Sequence, residues 1–98
     1  MSRDEILSRL REHEAVLRAR GVAHAALFGS RARGDEHPGS DTDIFVEFDP
    51  AARVTVFEYA GLKAEIAGLF EGPVDVVNRD ALKPHLRPKA AEDAVYAF

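Results

Sequence analysis

The sequence predicts an α/β domain with helices packed on a small mixed β-sheet. Capped helical stretches with one apolar face alternate with short β-rich runs. All of them fall within 98 residues that carry no repeat, low-complexity tract or interdomain linker, so residues 1–98 read as a single domain. A hydrophobic fraction of 46% supplies one core and argues against a disordered chain.

Ser2 and Glu5 fit a Ser-x-x-Glu capping box, and Ile6, Leu10, His13 and Leu17 fall on one helical stripe that Gly21 stops. Val22 to Phe28 is small, apolar and β-compatible, a short buried strand ending at Gly29. Ser30 to Gly34 has room for one helical turn. Asp35 to Ser40, with Pro38 and Gly39, is a loop short enough for an antiparallel or a mixed arrangement of its flanking strands.

Thr42 to Phe48 is the clearest strand, closed by Asp49-Pro50. Thr55 and Glu58 form a second capping box, opening a helix whose Tyr59, Leu62, Ile66 and Leu69 share a face. Gly72-Pro73 is its expected end, and Val74 to Val77 is a third strand. Asp80 to Phe98 is expected to be helical in part, broken by Pro84 and Pro88.

Thirteen basic against 17 acidic residues, a net charge of −4, argue against direct nucleic-acid binding but leave room for a local anion site. The absence of cysteine excludes disulfides and thiolate metal sites. The charged N-terminus does not read as a signal peptide, and no apolar run approaches the roughly 20 residues that span a membrane, so the expected location is cytoplasmic.

Three places can carry chemistry. Asp41 and Asp43 stand two residues apart at a strand start, so both carboxylates leave one face about 7 Å apart at Cα. Such a pair suits Mg²⁺, and two metal ions can clamp a phosphoryl transfer; the plainer alternative is a pair of aspartates closing a polar loop. Asp75 interrupts a Val-Asp-Val-Val run, where a buried, unpaired carboxylate is costly. It either completes a triad as metal ligand or general base, or faces solvent from an edge strand. Gly29-Ser30 leaves a strand and opens a helical turn, which suits a phosphate, and Arg31 and Arg33 can add charge-assisted hydrogen bonds. Taken alone, that stretch is equally a simple turn with two solvated arginines.

The spacing joins these places. Gly29-Ser30, ten residues, then Asp41-x-Asp43 resembles the Gly-Ser-x10-Asp-x-Asp signature of the DNA polymerase beta-like nucleotidyltransferase superfamily. More closely, Leu27 to Phe48 resembles the minimal nucleotidyltransferases paired with HEPN-domain toxins, and Val74 to Val77 matches the context of that family's third catalytic aspartate. The likeness spans nearly the whole chain. Thr42 between the aspartates, where an aliphatic residue is more usual, and the bulky Phe45 depart from the pattern. Thr42 is expected to face away from the metals.

The resemblance implies a polymerase beta-like palm fold and Mg²⁺-dependent transfer of AMP from ATP to a tyrosine hydroxyl of a HEPN ribonuclease toxin, with this chain as the antitoxin. Gly29 and Ser30 would then hold the triphosphate with Arg31 and Arg33. Asp41 and Asp43 would hold two Mg²⁺ ions, and Asp75 would act as a further ligand or as the base that aligns the acceptor. A non-catalytic binding antitoxin with a vestigial nucleotide site is the alternative from another class. Transfer to a small molecule such as an aminoglycoside is disfavoured by the lack of a substrate domain. The remaining candidates read as structural: His13 as a packed histidine, His24, His37 and His85 as scattered, Lys63 as solvated. Leu62, Ile66, Leu69 and Phe70 read as core, and Tyr96 and Phe98 as sheet packing or a partner surface.

Overall fold

In the computed structural model, which describes residues 2–34, 41–82, 84, 85 and 87–98, the first helical stretch is two helices, α1 (Arg3–Glu12) and α2 (Glu14–Ala19). They break at His13, whose φ of −102° and ψ of 9° leave the helical region. The His13 ring explains the break: Nδ1 lies 2.9 Å from the Arg9 carbonyl, a structural role as expected. At the start of α1 the Ser2 hydroxyl accepts the Glu5 N–H at 3.2 Å. Gly21 follows α2 with φ of +96°, a conformation that favours glycine.

Strand β1 (Val22–Phe28) leads into the short helix α3 (Ser30–Arg33), and β2 (Thr42–Phe48) follows. The expected loop from Asp35 to Ser40, including His37, lies outside the described residues. Helix α4 (Val56–Ala67) opens on the full capping box: Glu58 N–H donates to Thr55 Oγ1 at 3.1 Å and Thr55 N–H to Glu58 Oε1 at 3.3 Å. It ends earlier than Gly72-Pro73: after Gly68 the Leu69 and Phe70 N–H groups turn to the Ile66 and Ala67 carbonyls at 3.1 and 3.3 Å, i→i−3 bonds that close the last turn. Gly72-Pro73 instead leads into β3 (Val74–Asn78).

The C-terminal region departs most from expectation. After a 3₁₀ turn (Arg79–Ala81) and helix α5 (Arg87–Asp93) comes a fourth strand, β4 (Val95–Tyr96), where only helical pieces were expected. Two residues are too few to show a period, and their partners lie far away on β1. Pro88 opens α5 rather than breaking a helix, since a first-turn proline gives up an N–H that has no helical partner anyway.

The sheet order is β3-β2-β1-β4, with β1 antiparallel to β2 and β4, and β2 parallel to β3. It is therefore mixed, and α4 is the crossover that a parallel pair requires. One sheet face, with Leu27, Ile44, Val46 and Val76, joins Ile6, Leu10 and Leu17 from the first helices and Leu62 and Ile66 from α4 in a single core. Leu69 packs on that core and Phe70 is buried within it, as expected.

Alternation along β2 sends Asp43, Phe45 and Glu47 to the opposite face. Phe45 is fully buried there, with the rings of Phe28 and Tyr96 centred 5.5 and 5.7 Å away. The bulky Phe45 is thus the centre of a second apolar layer beside the Asp43 row. Tyr96 and Phe98 do pack on the body of the protein: the Tyr96 hydroxyl donates to Glu47 at 2.8 Å, and the Arg18 guanidinium lies 5.0 Å from the Phe98 ring centroid.

Truncating Phe45 to Ala removes the only fully buried ring of that layer among the described residues. The expected loss is about 3–5 kcal/mol of unfolding free energy, read from urea denaturation.

Candidate functional site

Gly29 is where the site begins. Its φ of +77° and ψ of −157° suit only glycine, and its carbonyl accepts the N–H groups of Ala32 and Arg33, both at 3.1 Å, to start α3. A Cβ built at Gly29 would collide with the Asp43 Oδ2 oxygen and lie 3.3 Å from Asp43 Cγ. The turn backbone therefore rests directly on the Asp43 carboxylate, and two independent constraints demand glycine. Ser30, the first residue of α3, is half-buried at the same corner.

The sheet register brings the aspartates together. Asp43 is paired with Phe28 on β1 and, across the parallel ladder, with Asp75 on β3. Directly paired residues of neighbouring strands share a face about 4.8 Å apart, so the two carboxylates leave side by side. Asp75 is exposed on an edge strand, yet it stands beside Asp43 and not apart from it. Asp41 comes just before β2 and is also exposed.

The Asp43 carboxyl reports this arrangement. Its pKa is raised above the ordinary 3.8, first by burial and then by the negative charges of Asp75 and Asp41, with Arg33 opposing. Three carboxylates and one guanidinium are thus in electrostatic contact. Thr42 between the aspartates is buried and turned to the other face, as expected, and its N–H donates to the Pro73 carbonyl at 3.0 Å. That bond ties the starts of β2 and β3 and so supports the Asp43–Asp75 register.

Among the described residues, no three His, Cys, Asp or Glu side chains converge into a group closed enough to hold a metal. The donor set still fits a hard cation: it is all carboxylate oxygen, with Asp75 directly opposite Asp43 across the parallel ladder. Arg33 Nη1 donates to Asp93 Oδ2 on α5 at 2.7 Å, while Arg31 is half-buried in α3. Asp93 escaped the sequence reading because 60 positions separate it from Arg33 and no local pattern links them. Lys63 is exposed, with Nζ 5.4 Å from the Tyr59 ring centroid, and His24 and His85 are exposed as well.

Residues 5–97 match the nucleotidyltransferase domain family. The chain is 32% identical over 94 residues to protein adenylyltransferase MntA of Thermococcus cleftensis, covering 95% of this chain and 93% of that relative. A solved structure provisionally named a minimal nucleotidyltransferase superposes with a TM-score of 0.78 at 29% identity, over 97% of this chain and 95% of that one. A chain from the structure of tri-AMPylated Shewanella oneidensis HEPN toxin in complex with MNT antitoxin has the same fold. Its TM-score is 0.60 at 19% identity, over 91% of this chain and 70% of that one.

A raised carboxyl pKa means that the folded protein binds the Asp43 proton more tightly than the unfolded chain does. That contribution to stability is present below pH 3.8 and is lost as pH rises through the raised folded value. At neutral pH the ionised Asp43 therefore opposes folding. Asp43→Asn should raise the melting temperature by a few degrees at pH 7, with the gap over the parent protein closing as pH falls through the raised folded value toward 3.8. Melting curves across that pH range check it.

Proposed function

The chain belongs to the nucleotidyltransferase domain family, and we propose that it transfers AMP from ATP to a tyrosine hydroxyl of a HEPN ribonuclease toxin and so acts as that toxin's antitoxin. The observation that carries this reading is the Asp43–Asp75 pairing, with Asp41 in electrostatic contact and the Gly29 backbone laid against the Asp43 carboxylate. Further support comes from the relative named a protein adenylyltransferase and from the fold shared with an antitoxin bound to an AMPylated toxin.

In this reading the turn at Gly29 and Ser30 receives the triphosphate, because a backbone without a Cβ lets phosphate oxygens approach. Arg33 and Arg31 supply positive charge to those oxygens. The carboxylates of Asp41, Asp43 and Asp75 are the residues that would hold Mg²⁺, two ions in all, and bound Mg²⁺ neutralises charge on the phosphates and on the departing pyrophosphate. Asp75, on the exposed edge strand, orients the acceptor hydroxyl and takes its proton as the oxygen attacks the α-phosphorus. The bond from that phosphorus to the bridging oxygen breaks, and pyrophosphate leaves.

Positioning and charge neutralisation are most of what such a transfer asks of a protein, which suits a domain of this size. The acceptor protein itself completes the specificity. No helix among the described residues is long and apolar enough to cross a membrane, and the cytoplasm is the compartment that fits a toxin of this kind.

Incubating the protein with a candidate HEPN toxin, Mg²⁺ and ATP should add the mass of AMP to a toxin tyrosine, read by mass spectrometry of tryptic peptides. Asp41→Asn or Asp43→Asn should lower the transfer rate by about 10²-fold or more. No adduct, together with toxin neutralisation that survives both substitutions, would sink the enzymatic reading. Asp75→Asn separates its two candidate roles. Mg-ATP binding, read by titration calorimetry, should stay within a few-fold of the parent protein while transfer falls by about 10²–10⁴-fold. Equal loss of both would make Asp75 chiefly a metal ligand.

A further inference from the structure

We propose that Tyr96 is itself an acceptor of AMP: a second copy of this chain adenylylates its hydroxyl, and the neighbouring Glu47 carboxylate takes the proton. The proposal rests on the nucleotidyl-transfer reading above and adds a substrate that the chain carries in its own sheet.

Tyr96 has what an acceptor phenol needs. It is 43% exposed, a large side chain left at the surface of a two-residue edge strand. Its hydroxyl donates to Glu47 Oε2 at 2.8 Å, and Arg79 Nη1 lies 3.5 Å from the other carboxylate oxygen, Oε1. The hydroxyl is thus already bonded to a base, within the reach that proton transfer requires. A surface cavity of about 400 Å³ lined by His24, Glu47, Tyr96 and Phe98 opens beside it. Burial, then the bond to Glu47, raises the Tyr96 pKa above its ordinary 10.0, so the oxygen meets the phosphorus still protonated and its attack depends on that base. Tyr59, the other tyrosine, packs on the main core instead, its ring edge-on to Phe48.

The sheet keeps Tyr96 from its own site. Tyr96 pairs with Ala26 on β1, whereas Asp43 pairs with Phe28, so the two lie two strands and two residues apart, about 12 Å at Cα. Glu47, which the hydroxyl meets, is four residues further along β2 than Asp43. The hydroxyl therefore points away from the carboxylates of its own chain, and the reaction runs between molecules. The Tyr96 oxygen bonds to the α-phosphorus of ATP, the bond from that phosphorus to the bridging oxygen breaks, and pyrophosphate leaves. The phenol proton passes to Glu47. The product sets a phosphodiester anion against the Glu47 carboxylate in place of a hydrogen bond, which loosens β4.

Peptide mapping after incubation with Mg²⁺ and ATP, with no other protein present, tests this. Trypsin cleavage after Lys89 frees residues 90–98, in which Tyr96 is the only hydroxyl side chain, so AMP mass on this peptide marks Tyr96. The rate per molecule should rise with protein concentration. An Asp43→Asn chain mixed with a Tyr96→Phe chain should gain the adduct that neither forms alone. Glu47→Gln should slow self-transfer at least about tenfold while transfer to a HEPN toxin continues. Absence of AMP from residues 90–98 overturns the proposal, and the peptide alone decides this should a variant not fold. A rate that Glu47→Gln leaves unchanged overturns the part given to Glu47, and an adduct whose rate ignores concentration overturns the second copy. Where residues 90–98 stay unmodified but the toxin gains AMP, only Tyr96 is removed. Where neither gains AMP and AMP-PNP does not bind, the nucleotidyl-transfer reading falls as well.

Discussion

Two carboxylates set directly across a parallel β-ladder are an arrangement that folding alone would avoid. Asp43 and Asp75 share a face at strand-to-strand spacing, with Asp41 in electrostatic contact and the Gly29 backbone pressed against Asp43. Burial and like charge both push the Asp43 pKa up, so the ionised site works against the stability of the domain. The rest of the structure can be understood as what makes that arrangement persist. A parallel pair forces a crossover, and α4 supplies it with a full capping box at its start and Leu62 and Ile66 buried against the sheet. The Thr42–Pro73 hydrogen bond sets the register at the end where the carboxylates sit. A slip of one residue would turn one aspartate into the core and leave the other alone.

The two faces of the sheet divide the work. The face with Ile44, Val46 and Val76 carries the main core, while the face with Asp43 carries only the compact layer around Phe45. Phe45 and Asp43 are two apart on the same strand, so the buried ring is the next side chain along from the carboxylate.

Much of this was legible in the sequence because it depends on local chemistry. The Thr55–Glu58 capping box, the strands around Phe28 and Phe48, and the break at Gly21 each follow from a few adjacent residues. Asp75 could be singled out because a charge in a Val-rich run is a local anomaly, and a triad with Asp41 and Asp43 was among its expected roles; the register adds that Asp43 is the residue directly opposite it. What stayed hidden was non-local. β4 is two residues long and owes its existence to β1, far away in sequence. Pro88 signals a break or a beginning with equal force, and only the chain around it decides. The division at His13 is similarly ambiguous, since its apolar-stripe position continues the helical pattern while its ring reaches back to the Arg9 carbonyl.

The C-terminal segment gives the clearest case of distant residues acting on the site. Ala97 donates its N–H to the Ala25 carbonyl at 2.9 Å, and its own carbonyl accepts from Arg11 Nε at 2.9 Å. β4 is thereby stitched to β1 on one side and to α1 on the other. A strand this short would not hold by pairing alone; these added bonds and the burial of Ala97 let it end the sheet. Because Asp93 stands two residues before Val95, the first residue of this stitched strand, the position of its carboxylate is inherited from the sheet and not from α5 alone. The polar corner around Gly29 is thus bounded on both sides by the same strand: β1 delivers the turn directly, and through β4 it delivers the carboxylate that Arg33 meets.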